Sequence, residues 1–131
     1  MQNWAGHCAI VTGGASGLGA ATAKRLSEDG LNVALFDMDE ERGQEYAAEI
    51  GAVFIAVDVA DPVSVAAGLE RAVDTLGVPR VVVNCAGIVG ASKTVARGEP
   101  HDFGLFDKTL RVNWIGNRYA GRRLRRAIKA A

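Results

Sequence analysis

Residues 12–19, Thr12-Gly13-Gly14-Ala15-Ser16-Gly17-Leu18-Gly19, directly follow the apolar run Cys8-Ala9-Ile10-Val11. This order predicts a buried strand, a glycine-rich turn and a helix that begins near Gly17. Such a turn aims backbone N–H groups and a helix N-terminus at one point, where a phosphate or pyrophosphate is held. Glycines are needed because a Cβ would block both the tight turn and the approach of the ligand. Asp37 closes the next apolar run, Asn32 to Phe36. A carboxylate there can accept hydrogen bonds from an adenosine ribose. The strand–turn–helix–strand–acid order is that of a dinucleotide site.

Elements that could position these residues follow along the chain. Strands are expected at Cys8 to Val11, Asn32 to Phe36, Val53 to Val57 and Arg80 to Asn84, the last carrying Val81-Val82-Val83. Helices are expected from Gly17 to Asp29 with Gly30 as a stop, from Asp39 or Glu40 to near Gly51, and from Asp61-Pro62 to Gly77. The stops and starts follow helix-end chemistry: glycine past the last turn, aspartate as N-cap, proline at the first helical position. A polar loop covers about 87–100, and a fourth helix runs from near Asp102 toward the end of the chain. Strand–helix alternation implies an α/β, doubly wound parallel sheet with right-handed crossovers and helices on both faces. The expected strand order is 3-2-1-4, with a ligand across the carboxyl ends of the strands.

Composition narrows the classes. The 131 residues suffice for one domain, 49% are hydrophobic and 23% charged, as in a globular protein. No apolar run approaches the length of a membrane span, and the first residues are not expected to form a secretion signal. Cys8 and Cys85, both expected in buried strands, fit neither metal nor disulfide spacing, so they read as core residues of a reducing, cytoplasmic compartment. No residue cluster has metal spacing. His101 is expected to be a solvated surface residue, His7 has no partner motif, and Trp4 and Trp114 are expected to be packing residues. The net charge of zero conceals an asymmetry. Arg118, Arg122, Arg123, Arg125, Arg126 and Lys129 form a basic tail with no acid, leaving nine basic groups against fifteen acidic ones before it.

Four signatures in chain order resemble the short-chain dehydrogenase/reductase family. They are Thr12-Gly13-x-x-x-Gly17-x-Gly19, Asp58-Val59 after the third strand, Asn84-Cys85-Ala86-Gly87 after the fourth, and Asn113 in the fourth helix. The stretches 13–19, 83–88 and Ala91-Ser92-Lys93-Thr94 resemble its type-2 3-hydroxyacyl-CoA dehydrogenase branch. This resemblance covers about residues 7–117. It implies a Rossmann-type fold and NAD-linked alcohol/ketone hydride transfer on a small-molecule substrate, such as a 3-hydroxyacyl-CoA ester. It implies cofactor contacts at Ser16, Leu18, Asp37, Asp58, Val59 and Cys85. The implied cofactor-binding set also takes in Thr12, Gly13, Gly17, Gly19, Asn84, Ala86 and Gly87, and Asn113 takes the place of the family's catalytic asparagine. NAD is preferred over NADP because a 2′-phosphate beside Asp37 would meet like charge.

The resemblance also sets what is missing. The family transfers the hydroxyl proton through a tyrosine whose pKa a lysine four residues later lowers, with a serine orienting the substrate oxygen. These lie on a fifth strand and the helix after it, beyond residue 131. Tyr119 and Arg123 have the spacing, but arginine cannot act as that lysine does. The abrupt arginine content from about residue 117 leads us to expect a shifted reading frame there, in a C-terminally truncated dehydrogenase. The fourth strand is then expected to be an edge, and Leu110, Val112, Trp114 and Ile115 to be exposed, favouring a homo-oligomer or self-association. The residues leave three function classes open: the cofactor half of an enzyme without turnover by itself, a non-catalytic NAD-binding module that associates with another chain, and nucleic-acid binding through the basic tail. The last ranks lowest, because the body is acidic and offers no stacking surface near the tail.

Overall fold

Short apolar runs that cannot bury both faces alone alternate with amphipathic stretches that can cover them, and the chain folds accordingly. In a computed structural model, residues 3–90 and 93–130 are described; Ala91 and Ser92 of the stretch Ala91-Ser92-Lys93-Thr94 lie outside them. The order is β1 Cys8–Thr12, α1 Gly17–Glu28, β2 Asn32–Asp37, α2 Glu40–Ile50, β3 Val53–Ala56, α3 Pro62–Leu76 and β4 Pro79–Asn84. A hairpin of β5 Val95–Ala96 and β6 Glu99–Pro100 follows, then α4 Phe103–Leu110, a π-helical turn Arg111–Gly116 and α5 Asn117–Ala130. The first four strands form one parallel sheet in the order β3-β2-β1-β4. This is the α/β arrangement and strand order expected from the sequence.

Alternation along β1 and β2 divides the core between the two faces of the sheet. Ile10, Phe36, Ile55, Val65 and Ala120 pack on the side covered by α3 and α5. Val11, Leu35, Val33, Ala23 and Ala47 pack on the side covered by α1 and α2. Every residue of β1 is therefore buried, as a central parallel strand requires. Asp39, Asp61 and Asp102 cap α2, α3 and α4 by accepting hydrogen bonds from first-turn N–H groups.

Three expectations are corrected. The segment 87–100 is not all loop: Arg97 and Gly98, both at positive φ (54° and 82°), turn a two-residue-strand hairpin. Arginine is not a residue that signals such a turn. The fourth helix is not uniform, because Arg111–Gly116 widens into a π-turn. Cys85 lies one residue past β4 and is half-buried, whereas Cys8 is buried and burial pushes its thiol up to about 11.

β4 stands at the margin of the sheet, with β1 as its ladder partner. Leu110, Trp114 and Ile115 are exposed as expected, and Val112 is half-buried. Trp4 and Trp114 are exposed rather than packed. His101 is half-buried, with Nδ1 2.8 Å from the Asp102 carbonyl and its ring edge against Phe106, so it is not simply solvated. No helix among the described residues is long and apolar enough to cross a membrane.

Beyond the β1–β4 ladder, one hydroxyl ties the end of β1 to the chain leaving β4. Thr12 is fully buried, and its Oγ1 accepts from the N–H groups of Cys85 and Ala86, both at 3.2 Å. The Cys85 N–H also reaches the Thr12 carbonyl at 3.1 Å, but Ala86 has the hydroxyl. Thr12→Val keeps the shape and orphans that donor. A loss of about 1–3 kcal/mol is expected, read as a lower urea midpoint at unchanged slope.

Candidate dinucleotide cleft

The turn after β1 is held down by the strand beside it. Gly13 donates to the Phe36 carbonyl at 2.7 Å, and Ala15 donates to Asp37 Oδ2 at 3.1 Å. Asp37 Oδ1 accepts from the Asp39 N–H at 3.1 Å. Both carboxylate oxygens thus take one backbone N–H each and keep lone pairs for a further donor. α1 then starts at Gly17 and crosses so close to the turn that a Cβ on Gly19 would collide with the Gly13 carbonyl.

The first turn of α1 is left open. Its N-cap, Ser16, makes no side-chain cap hydrogen bond, unlike the aspartates of α2, α3 and α4. Gly17 stands at φ 53°, and the space where its Cβ would be is empty to 4 Å. Free N–H groups beside empty space are what a bound pyrophosphate requires.

A cleft of about 620 Å³ opens at the carboxyl ends of the strands. It brings together Gly13, Ser16, Gly17, Leu18 and Gly19 from the turn, Asp37 from β2, Asp58 and Val59 from beyond β3, and Cys85, Ala86 and Gly87 from beyond β4. Asp58 is fixed by its own turn: its N–H donates to Ser64 Oγ and its Oδ1 accepts from Ala60. The backbone and side-chain donors and acceptors of this set, with apolar walls at Val57 and Val59, fit an adenosine dinucleotide.

Three residues expected in the site sit outside the cleft lining. Thr12 holds the β1–β4 joint from within. Asn84 is exposed at the end of β4. Asn113 turns its amide toward the loop after β4, donating through Nδ2 to the Ile88 carbonyl and accepting at Oδ1 from the Ile88 N–H, both at 2.8 Å. A two-point amide clamp of this kind sets the path of residues 85–88 along the cleft. Asn113 lies within the π-turn, a distortion frequent where a helix serves a site.

Residues of α4 and the π-turn complete the cleft, and the sequence reading did not include them. Asp107, Lys108, Arg111 and Val112 line it. Arg111 pairs with Asp107 at 2.7 Å. The i, i+4 spacing of that pair was legible, but which side of the helix faces the cleft was not. Asn117 was also missed: its Nδ2 donates to the Ala86 and Asn113 carbonyls at 3.2 and 2.9 Å, while its Oδ1 is buried without a partner. Tyr119 and Arg123 do meet, Arg123 Nε donating to the phenol oxygen at 2.9 Å, but away from the cleft lining. Among the described residues no group of three or more His, Cys, Asp or Glu could hold a metal.

Comparison with known proteins agrees with this fold. A family model described as short chain dehydrogenase matches residues 7–127. The 3-hydroxyacyl-CoA dehydrogenase type-2 of Drosophila melanogaster is 41% identical over 111 residues, 82% of this chain and 44% of that protein. A 2-dehydro-3-deoxy-L-rhamnonate dehydrogenase (NAD(+)) of a Sphingomonas strain is 39% identical over 120 residues, 91% of this chain and 47% of that protein. The crystal structure of 3-hydroxyacyl-CoA dehydrogenase type-2 from Mycobacterium avium superposes with a TM-score of 0.89 at 40% identity, covering 100% of this chain and 52% of that one. The chain spans about half the length of the relatives it matches.

Proposed function

Because this chain belongs to the short-chain dehydrogenase family, we propose that its cleft holds NAD and that the chain is the cofactor half of an alcohol/ketone oxidoreductase. The observation that carries this reading is the convergence of the open α1 N-terminus, Asp37, Asp58 and the Ala86–Gly87 loop on one cleft. In it, α1 N–H groups take the pyrophosphate, Asp37 accepts from the adenosine ribose hydroxyls, and Val59 and its neighbours cover the adenine. Asn113 positions the Ala86–Ile88 backbone along the bound ligand. NAD, when bound, supplies the hydride acceptor. NAD rather than NADP is favoured by the Asp37 carboxylate, and the Sphingomonas relative carries NAD(+) in its name.

Proton transfer needs a group that these 131 residues do not display in the family's form. The two tyrosines, Tyr46 and Tyr119, are followed four residues later by Ile50 and Arg123. By itself the chain binds cofactor without turnover in this reading, in the cytoplasm, and a substrate such as a 3-hydroxyacyl-CoA ester needs the remaining half of the fold. Resequencing the coding DNA tests the shifted frame from about residue 117; an in-frame reading overturns it.

Fluorescence titration with NADH and NADPH tests the cofactor reading. Saturable enhancement of nicotinamide emission by NADH, with NADPH at least about tenfold weaker, is expected from like charge at Asp37. A folded chain that binds neither, or both alike, overturns it.

A further inference from the structure

α5 carries Arg118, Arg122, Arg123, Arg125, Arg126 and Lys129 and no acid, and all six are exposed. Its inner side is already committed, since buried Ala120 and half-buried Tyr119 and Ala127 join the core beneath it. Among the described residues the ion pairs are Arg25–Asp29 and Arg111–Asp107, so none of the α5 cations has an acidic partner. Arg123 leans on the Tyr119 ring instead. Like charges stacked on one helix repel one another, and a facing surface of opposite sign relieves that repulsion.

The molecule carries such a surface, in a place its own α5 cannot reach. α2 and its cap present Asp39, Glu40, Glu41, Glu45 and Glu49, all exposed, against the one base Arg42. The negative field there is felt by Tyr46, whose hydroxyl is held above its ordinary pKa by burial and by Glu49 and Glu28. α2 packs on the Val11–Leu35 side of the sheet and α5 on the Ile10–Phe36 side. The sheet therefore separates the acids from the cations within one molecule.

We propose that α5 of one molecule docks on α2 of a second copy, head to tail. Charge complementarity selects this occupant, because every copy presents both surfaces. A heterologous contact leaves one α5 and one α2 free at the ends, so it extends into open chains or closes as a ring. The contact is independent of the cofactor reading, since neither surface belongs to the 620 Å³ cleft.

Sedimentation velocity of the full chain tests the proposal at ionic strengths of about 0.01 M and about 1 M, where the Debye length falls from about 30 Å to about 3 Å. The expected result is a weight-average mass that rises with protein concentration at low salt and returns to monomer at high salt. Arg122→Glu/Arg125→Glu/Arg126→Glu and, separately, Glu41→Lys/Glu45→Lys/Glu49→Lys should each stay monomeric at low salt, with far-UV circular dichroism as a check on folding. An equimolar mixture of the two should associate again, which a misfolded variant could not do. Association that ignores salt would place the contact on the apolar face around Trp114 and Ile115 and overturn the proposal. So would loss of association in the α5 variant alone, failure of the mixture of folded variants to associate, or a monomer at low salt that instead binds heparin.

Discussion

Gly19→Ala is expected to weaken NADH binding by about tenfold to a hundredfold and to lower the stability of the chain. The added Cβ would meet the Gly13 carbonyl oxygen, with the carbonyl carbon at 2.7 Å. A flexible side chain could turn away from such a contact, but a backbone carbonyl can move only with its peptide. Gly13 is tied in turn by its N–H to the Phe36 carbonyl. Relief must come from shifting α1 away from the turn, which tilts the helix N-terminus out of line with the pyrophosphate. Overpacking of this kind costs about 1–3 kcal/mol, and each 1.4 kcal/mol of it that reaches the ligand is about tenfold in affinity. NADH titration alongside urea unfolding checks both halves. Undiminished affinity would show that the α1 N-terminus does not hold the ligand.

Asp37→Ala should abolish the preference for NADH over NADPH. The carboxylate has two jobs, and they have different signatures. It pins the glycine turn and the chain after β2 through Ala15 and Asp39. It also lines the cleft, where its remaining lone pairs can accept from a ligand. Loss of charge-assisted hydrogen bonds to the ribose costs about 1.5–3 kcal/mol, so NADH should weaken by about tenfold to 150-fold. Loosening the turn penalises both cofactors equally, whereas removing the like charge favours only the 2′-phosphorylated one. The ratio of the two affinities therefore isolates the ribose contact. Parallel losses for NADH and NADPH would mean that Asp37 acts only through the turn.

Much of the cleft lining was legible from motif spacing and from the family resemblance. The glycine turn and Asp37 at the end of β2 were read from strand–turn–helix–strand spacing, Asp58-Val59 after β3 from the family resemblance, and the strand order from the doubly wound pattern they signal. Asp39 and Asp61 were readable as helix starts. Thr12 was named as part of the site, but its hydroxyl turned out to serve residues 73 and 74 positions away. Asn113 likewise clamps Ile88, 25 residues distant, and a motif match could place it in the site without showing what its amide holds.

The sequence by itself determined the order of strands and helices, the glycine turn that leads into α1 and the carboxylate at the end of β2, because each follows from steric and hydrogen-bonding rules that act over short stretches of chain. Tertiary structure alone decided which face of α4 lines the cleft, that Arg97 and Gly98 reverse a hairpin, that Arg111–Gly116 widens into a π-turn, and that Asn113 meets Ile88. It also decided that the acids of α2 and the cations of α5 stand on opposite sides of the sheet. Those outcomes depend on which surfaces pack together across long stretches of chain, and helical periodicity shows that a helix has two faces without showing what each one meets.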